Sequence, residues 1–183
     1  GPLSQSLCAD VLLKVGDNIT TDHIMPAGAK VLPYRSNIPH LSQFCFYQVD
    51  PEFSSRAKQA GKGMIVAGAN YGQGSSREHA ALVPLYLGIR AVLAVSFARI
   101  HKANLFNAGI LPLTFANPED YDRIAENNAL SIDGLEDITS GKTEFILTNR
   151  TKGIQIPLVL DCSERQRRIL QAGGLLGYTK NQK

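Results

Sequence analysis

The chain has little cysteine, no marked excess of one charge and no long apolar run. Its three cysteines, Cys8, Cys45 and Cys162, are scattered and odd in number. They match neither a disulfide framework nor a C-x-x-C metal pair. An iron–sulfur cluster held by this chain alone is therefore not expected, since such clusters take three or four thiolates. With 19 basic and 16 acidic residues the net charge is only +3, too weak a balance to argue for nucleic acid or a membrane surface as partner. No apolar stretch approaches the ~18 residues of a membrane span, and nothing resembles a signal peptide. A reducing, aqueous location is expected, and so a cytoplasmic one. Repeats and low-complexity tracts are missing as well.

What is present suits one soluble domain. The 183 residues are 44% hydrophobic and 19% charged, and a chain of this length buries roughly 70% of its unfolded surface without staples. A single domain is expected over 1–183, with residues 1–10, opening "GPLSQSL", as a linker or tag-derived lead-in.

"DVLLKVGDN" reads as a strand ending in a turn. "ITTDHIMPAGAKVLPYRSNIPHLSQ" follows, an irregular stretch too apolar for a plain linker, and such segments inside compact domains are usually functional or disordered. "CFYQVD" reads as a short strand and "PEFSSRAKQAG" as a helix stopped by Gly61. From 64 to 127, apolar strands ("GMIVAGAN", "RAVLAVSFA", "ILPLTF") alternate with helices ("SSREHAALVPLYLG", "RIHKANLFNAG", "NPEDYDRIAEN"). Alternation of this kind predicts parallel β-α-β units. Pro84 should kink or end the first of these helices. The second should turn Ile100, Leu105 and Phe106 inward, and Asn117 and Pro118 suit the start of the third. "ALSIDGL", "TEFILTN" and "GIQIPLVLD" read as further strands, the last two a hairpin through "RTKG". "SERQRRILQAGG" is a closing helix with Ser163 and Gln166 spaced as a capping box. The fold class is α/β: a mixed sheet with an antiparallel annex near the C-terminus.

The stretch "NYGQGSSREHAAL", residues 70–82, is where chemistry is expected. It is neither G-x-G-x-x-G nor a P-loop, which needs Lys after its last Gly. Nor is it a G-x-S-x-G elbow, because no glycine lies two places beyond either serine. A helix start offers unpaired N–H groups and a positive dipole end, which favour an anion. Arg77 adds a fork suited to a carboxylate or phosphate. The same surroundings would stabilise negative charge on Ser75 or Ser76, as base or nucleophile. Spacing alone leaves equally open that one serine is a helix cap and Arg77 a surface residue.

"GDNITTDHIMPAG", "NYGQGSSREHAAL", "SFARIHKANLFNAGILPLTF" and "PEDYDRI", in this order and separation, resemble the carboxy-terminal swivelling domain of the aconitase family. The resemblance runs over roughly residues 11 to 178. The isopropylmalate dehydratase small subunit shares the G-S-S-R-E-H core, while the neighbours "YGQG" and "AALVPLYLG" are more similar to aconitase. The resemblance implies a swivelling β/β/α-type domain of a hydro-lyase of the tricarboxylic acid cycle. That enzyme interconverts citrate and isocitrate through cis-aconitate on a [4Fe-4S] cluster, which another domain or a separate large subunit holds. It implies that Ser75 is the base, acting as an alkoxide on a carbon next to a carboxylate. Ser76, Arg77 and Arg35 would bind substrate carboxylates, and Asp22 would orient the serine-side network. A serine among oriented donors meets the demand for an oxygen more basic than carboxylate that still works near neutral pH. The isolated chain is expected to be inactive, as an excised domain or a separate subunit. A non-catalytic module that binds a carboxylate or a protein partner through Arg77 is the reading from another class.

Other residues carry less. The four histidines match no ligand spacing, so no metal site is expected. His23 and His79 adjoin proposed site residues and suit hydrogen bonds behind the site. Asp17 reads as a turn residue and Glu78 as a dipole-favoured first-turn acid. Arg99 and His101 read as an exposed helix face, as does the basic run at 165–168. Some aconitase relatives bind RNA, but the weak net charge gives that no support.

Overall fold

A computed structural model describes residues 3–27 and 37–182. Seven strands close on themselves: β1 (Leu7–Lys14), β2 (Gly63–Ala67), β3 (Ile89–Ala94), β4 (Leu111–Phe115), β5 (Ala129–Ile132), β6 (Glu144–Asn149) and β7 (Ile154–Val159). Their order around the barrel is β1-β2-β3-β4-β7-β6-β5. β1 to β4 are parallel neighbours. β5 to β7 run antiparallel and join β1 and β4. The sheet is mixed, as expected, but its antiparallel part is no annex. It completes the barrel, leaving no edge strand among the described residues.

β1 makes the closure. Leu7 to Asp10 pair antiparallel with Ile132 to Ala129, whereas Val11, Leu13 and Lys14 pair parallel with Met64, Ile65 and Val66. A register shift between Val11 and Leu13 interrupts the parallel pairing with β2. The strand thus begins at Leu7, inside the segment expected as lead-in, because β5 lies there to pair with it.

The helices are α1 (Thr21–Ile24), α2 (Ile38–Leu41), α3 (Phe53–Ala60), α4 (His79–Tyr86), α5 (Arg99–Ala108), α6 (Glu164–Gln171) and α7 (Leu175–Asn181). The β2-α4-β3-α5-β4 succession is the parallel β-α-β pattern expected over 64–127. α3 and α5 stop at Gly61 (φ 80°) and Gly109 (φ 84°), glycine being the residue that adopts positive φ without strain. Pro84 does not end α4. The helix runs on to Tyr86, with the Leu87 N–H donating to the Val83 carbonyl at 3.1 Å. A proline this near the carboxyl end removes one bond and leaves little helix beyond to redirect.

Two expectations are corrected. "CFYQVD" is a succession of turns, with Phe46 at φ 56° and the Tyr47 and Val49 N–H groups donating to Phe44 and Phe46 carbonyls at 3.0 and 2.9 Å. A residue at positive φ and bonds spanning three residues are turn geometry, not the extended backbone of a strand. α7 was not anticipated; it buries no residue fully and so leaves no periodic apolar signal.

Two apolar cores result. Val11, Met64, Val66, Leu93, Leu113, Leu130, Phe145, Leu147, Ile156 and Leu158 form one cluster on the inner face of the barrel. The outward side chains of β2 and β3, Ile65, Ala67, Val92 and Ala94, pack in a second cluster with Phe53 and Ala57 of α3, Ala80 and Val83 of α4, and Leu105 of α5. Strands buried on both faces read as continuous apolar runs. Being parallel, β1 to β4 all point their carboxyl ends to one rim.

Candidate functional site

Three loops meet at that rim. Beyond β1 and β2 the chains stay zipped: Asn18 N–H donates to Ala69 O at 2.8 Å, Gly72 N–H to Ile19 O at 2.7 Å and Thr21 N–H to Gln73 O at 2.9 Å. The Asp17 carboxylate accepts from the Ala69 N–H at 2.7 Å, a structural role across the two loops rather than within its own turn. The loop after β3 joins them, with Tyr71 N–H donating to Ser96 O at 3.1 Å and Ala98 N–H to Tyr71 O at 2.9 Å. The motifs around Asp22 and Ser75, 53 positions apart, are thereby held side by side.

The side chains complete the link. Arg77 Nη1 donates to Asp22 Oδ1 at 2.9 Å and lies 3.4 Å from the Met25 carbonyl. Its Nη2 and Nε engage nothing among the described residues, so part of the guanidinium fork is left for a ligand. Asp22 also accepts from the Ala27 N–H at 3.2 Å. The hydrogen bond from Arg77, with that of Ala27 behind it, holds the Asp22 carboxyl below its ordinary range, so it is ionised at neutral pH. Asp22, expected to orient the serine-side network, makes its contacts with Arg77 and Ala27. Thr21 is the residue that reaches the serines, its Oγ1 donating to the Ser75 carbonyl at 2.8 Å.

Neither serine caps a helix. α4 begins at His79 with Glu78 as N-cap and no side-chain cap bond. Ser75 and Ser76 are exposed in the turn before it. The Ser75 hydroxyl has no partner among the described residues, and Ser76 Oγ has only Asn104 Nδ2, at 3.4 Å. Gly72 and Gly74 sit at φ 89° and 106°, conformations that a side chain would strain.

Two second-line candidates part company. His23 belongs to α1's capping box: its Nδ1 accepts from the Thr20 N–H at 2.9 Å, and its N–H donates to Thr20 Oγ1 at 3.0 Å. It supports the Asp22 turn locally. His79 is the first residue of α4 and half-buried. Arg35 lies outside the described residues.

The residue that sequence reasoning missed is His101. Expected on an exposed face, it is buried, while Ile100, expected inward, is exposed. Burial pushes the imidazole down to about 4, so it is neutral at neutral pH. The ring meets Tyr71 edge-on at 5.4 Å between centroids and lies directly under Gly72, where an added Cβ would come within 2.3 Å of it. Gly72 was the available signal: a Gly that cannot carry a Cβ implies something bulky beneath it.

A cavity of about 580 Å³ opens between the turn and α5, lined by Thr21, Gly72, Gly74, Ser76, Arg99 and His101 with their neighbours. Among the described residues, no group of three or more His, Cys, Asp or Glu could hold a metal ion. The donor set of the described residues does not fit a cluster. No helix among them is long and apolar enough to cross a membrane.

Comparison with known proteins gives the site a context. The sequence model described as "Aconitase C-terminal domain" matches residues 40–118. A probable mitochondrial aconitate hydratase of Dictyostelium discoideum is 38% identical over 94% of this chain and 26% of its own length. The chain thus spans about a quarter of such relatives. A 3-isopropylmalate dehydratase small subunit of Archaeoglobus fulgidus is 41% identical over 91% of each chain. The crystal structure of a 3-isopropylmalate dehydratase from Methanocaldococcus jannaschii superposes with a TM-score of 0.79 at 32% identity, covering 97% of this chain and 95% of that one.

Proposed function

The chain belongs to the aconitase C-terminal-domain and isopropylmalate dehydratase small-subunit superfamily, and we propose that within it the turn at Ser75–Arg77 supplies the base and a carboxylate clamp for reversible dehydration of a hydroxy acid. The observation that carries this reading is the junction of two distant motifs through the Asp22–Arg77 ion pair and the Thr21–Ser75 bond, with both serine hydroxyls uncommitted to capping.

In this reading the Ser75 Oγ, deprotonated, takes the proton from the carbon next to a substrate carboxylate. The C–H electron pair is spread toward the carboxylate and then forms the C=C bond, as the hydroxyl on the adjacent carbon leaves with its bonding pair and is protonated to water. In the hydration direction Ser75 returns the proton. Arg77 holds a carboxylate with the part of its fork that Asp22 leaves unused, and Ser76 adds a hydroxyl beside it. Asp22 fixes the guanidinium, and Arg35 would supply a second arm. The [4Fe-4S] cluster implied by the family is assigned to a partner domain or large subunit, and no step here runs through it. The substrate on the aconitase side is citrate or isocitrate. The 41% identity to the Archaeoglobus small subunit supports a second reading, a small subunit acting on an isopropylmalate-type acid. The relatives include mitochondrial enzymes as well as that subunit, so location is proposed only as a reducing aqueous compartment, in keeping with the free cysteines.

The test is reconstitution with a cluster-bearing partner, following absorbance of the unsaturated acid with citrate and with isopropylmalate as substrates. Ser75→Ala should lower turnover by roughly 10²–10⁴-fold, and near-normal turnover would sink the assignment. Turnover by the isolated chain would overturn its role as part of a site.

A further inference from the structure

We infer that the cavity between the glycine-serine turn and the amino end of α5 is a carboxylate-binding subsite, built by Arg99, the first backbone N–H groups of α5, Ser76 and the buried His101. Nothing in the serine-base reading requires α5, yet its amino end faces the same space.

α5 is ten residues long and starts after Ala98, which offers no side-chain cap. The first helical bond is from Lys102 N–H to Ala98 O at 3.0 Å. The N–H groups of Arg99, Ile100 and His101 therefore have no partner among the described residues. Together they form the positive end of the helix, where anions bind. Arg99 is exposed at the cavity wall and makes no ion pair among the described residues, so its guanidinium is available.

His101 is the independent sign of a ligand. It is only 2% exposed, lines the cavity, and neither ring nitrogen has a hydrogen-bond partner among the described residues. An orphaned buried donor and acceptor are costly to keep unless something occupies them. A neutral imidazole offers one N–H donor, which suits an acceptor-only group such as a carboxylate. Tyr71 and the missing Cβ of Gly72 hold the ring against the cavity floor. The cavity is large enough for one terminus of a di- or tricarboxylate, with Ser76 shared between this subsite and the Arg77 clamp.

The inference rests on the reading of the turn as a polycarboxylate site, and the test separates the two. The 183-residue chain, ¹⁵N-labelled, is titrated with tricarballylate and, in parallel, with inorganic phosphate. Tricarballylate should shift the amides of residues 99–102 and the His101 ring signals saturably. Arg99→Gln, a change at an exposed position, should weaken that binding at least roughly tenfold, the loss of one charge-assisted contact. In Arg77→Gln the α5 shifts should persist. Unchanged affinity in Arg99→Gln, or shifts confined to the Arg77 side, would overturn the subsite while leaving the serine-base reading intact. Phosphate shifting α5 as strongly as tricarballylate would overturn the assignment to carboxylate. Failure of the serine-base reading would show instead as normal turnover in Ser75→Ala.

Discussion

α6 and α4 both follow a serine, and only α6 spends it on the helix. At α6, Ser163 Oγ accepts from the Gln166 N–H at 3.1 Å, and the Gln166 side chain returns the bond to the Ser163 N–H at 3.0 Å. That hydroxyl is fully used in satisfying a helix end. At α4, Ser75 and Ser76 stop short of the first turn, Glu78 occupies the cap position, and neither hydroxyl caps the helix. Backbone bonds to Ile19 and Thr21, the Thr21 side chain and the buried His101 fix the turn instead. Chemistry at a helix start thus needs a scaffold that relieves the serine of structural duty.

The sharpest way to test that contrast is to remove each hydroxyl and read rate and stability separately. Ser75→Ala should cost the reconstituted enzyme roughly 10²–10⁴-fold in turnover while thermal unfolding of the chain moves by no more than about 0.5 kcal/mol, the usual range for exposed positions. A stability loss comparable to a lost cap would mean that Ser75 is structural after all.

Breaking the scaffold should do the reverse. Gly72→Ala puts a Cβ against the His101 ring at a φ of 89°, and overpacking plus positive-φ strain should destabilise by about 2–4 kcal/mol. Chemical denaturation would measure it. An unaffected midpoint would show that the turn does not depend on the ring beneath it.

His101 also gives the turn face a pH signature. Its folded value lies near 4 against an ordinary 6.5, so the unfolded chain binds the extra proton between those values. Stability is then complete above about pH 6.5 and falls as pH drops toward 4, by roughly 3 kcal/mol at most. Unfolding free energies across that window, compared with His101→Gln, check the sign. A variant as pH-dependent as the parent would trace the slope to other groups.

Ser163→Ala is the mildest change. Loss of the capping box should cost about 1 kcal/mol, a fall in Tm of about 2–4 °C, with turnover of the reconstituted enzyme unchanged. A drop in turnover at constant Tm would erase the contrast between the two serines.

Local sequence determined much of the frame. Apolar runs bounded by glycine marked β2, β3 and β4, Gly61 and Gly109 marked helix ends, and the Ser163–Gln166 spacing marked a cap, because each signal depends only on near neighbours. The glycine-serine turn and its arginine were legible for the same reason, helped by the family resemblance. Tertiary structure alone decided the rest. Whether β5 to β7 hang off the sheet or close it depends on β1 pairing with β5 as well as β2, a pairing over more than a hundred residues that no local pattern encodes. His101 faces inward and Ile100 outward because Gly72 and Tyr71, from another loop, sit over that side of α5. The Asp22–Arg77 pair likewise exists only because parallel strands β1 and β2 bring their carboxyl ends to one rim. Burial and pairing are set by what arrives from elsewhere in the chain, and a linear pattern records only the half of each contact that it carries.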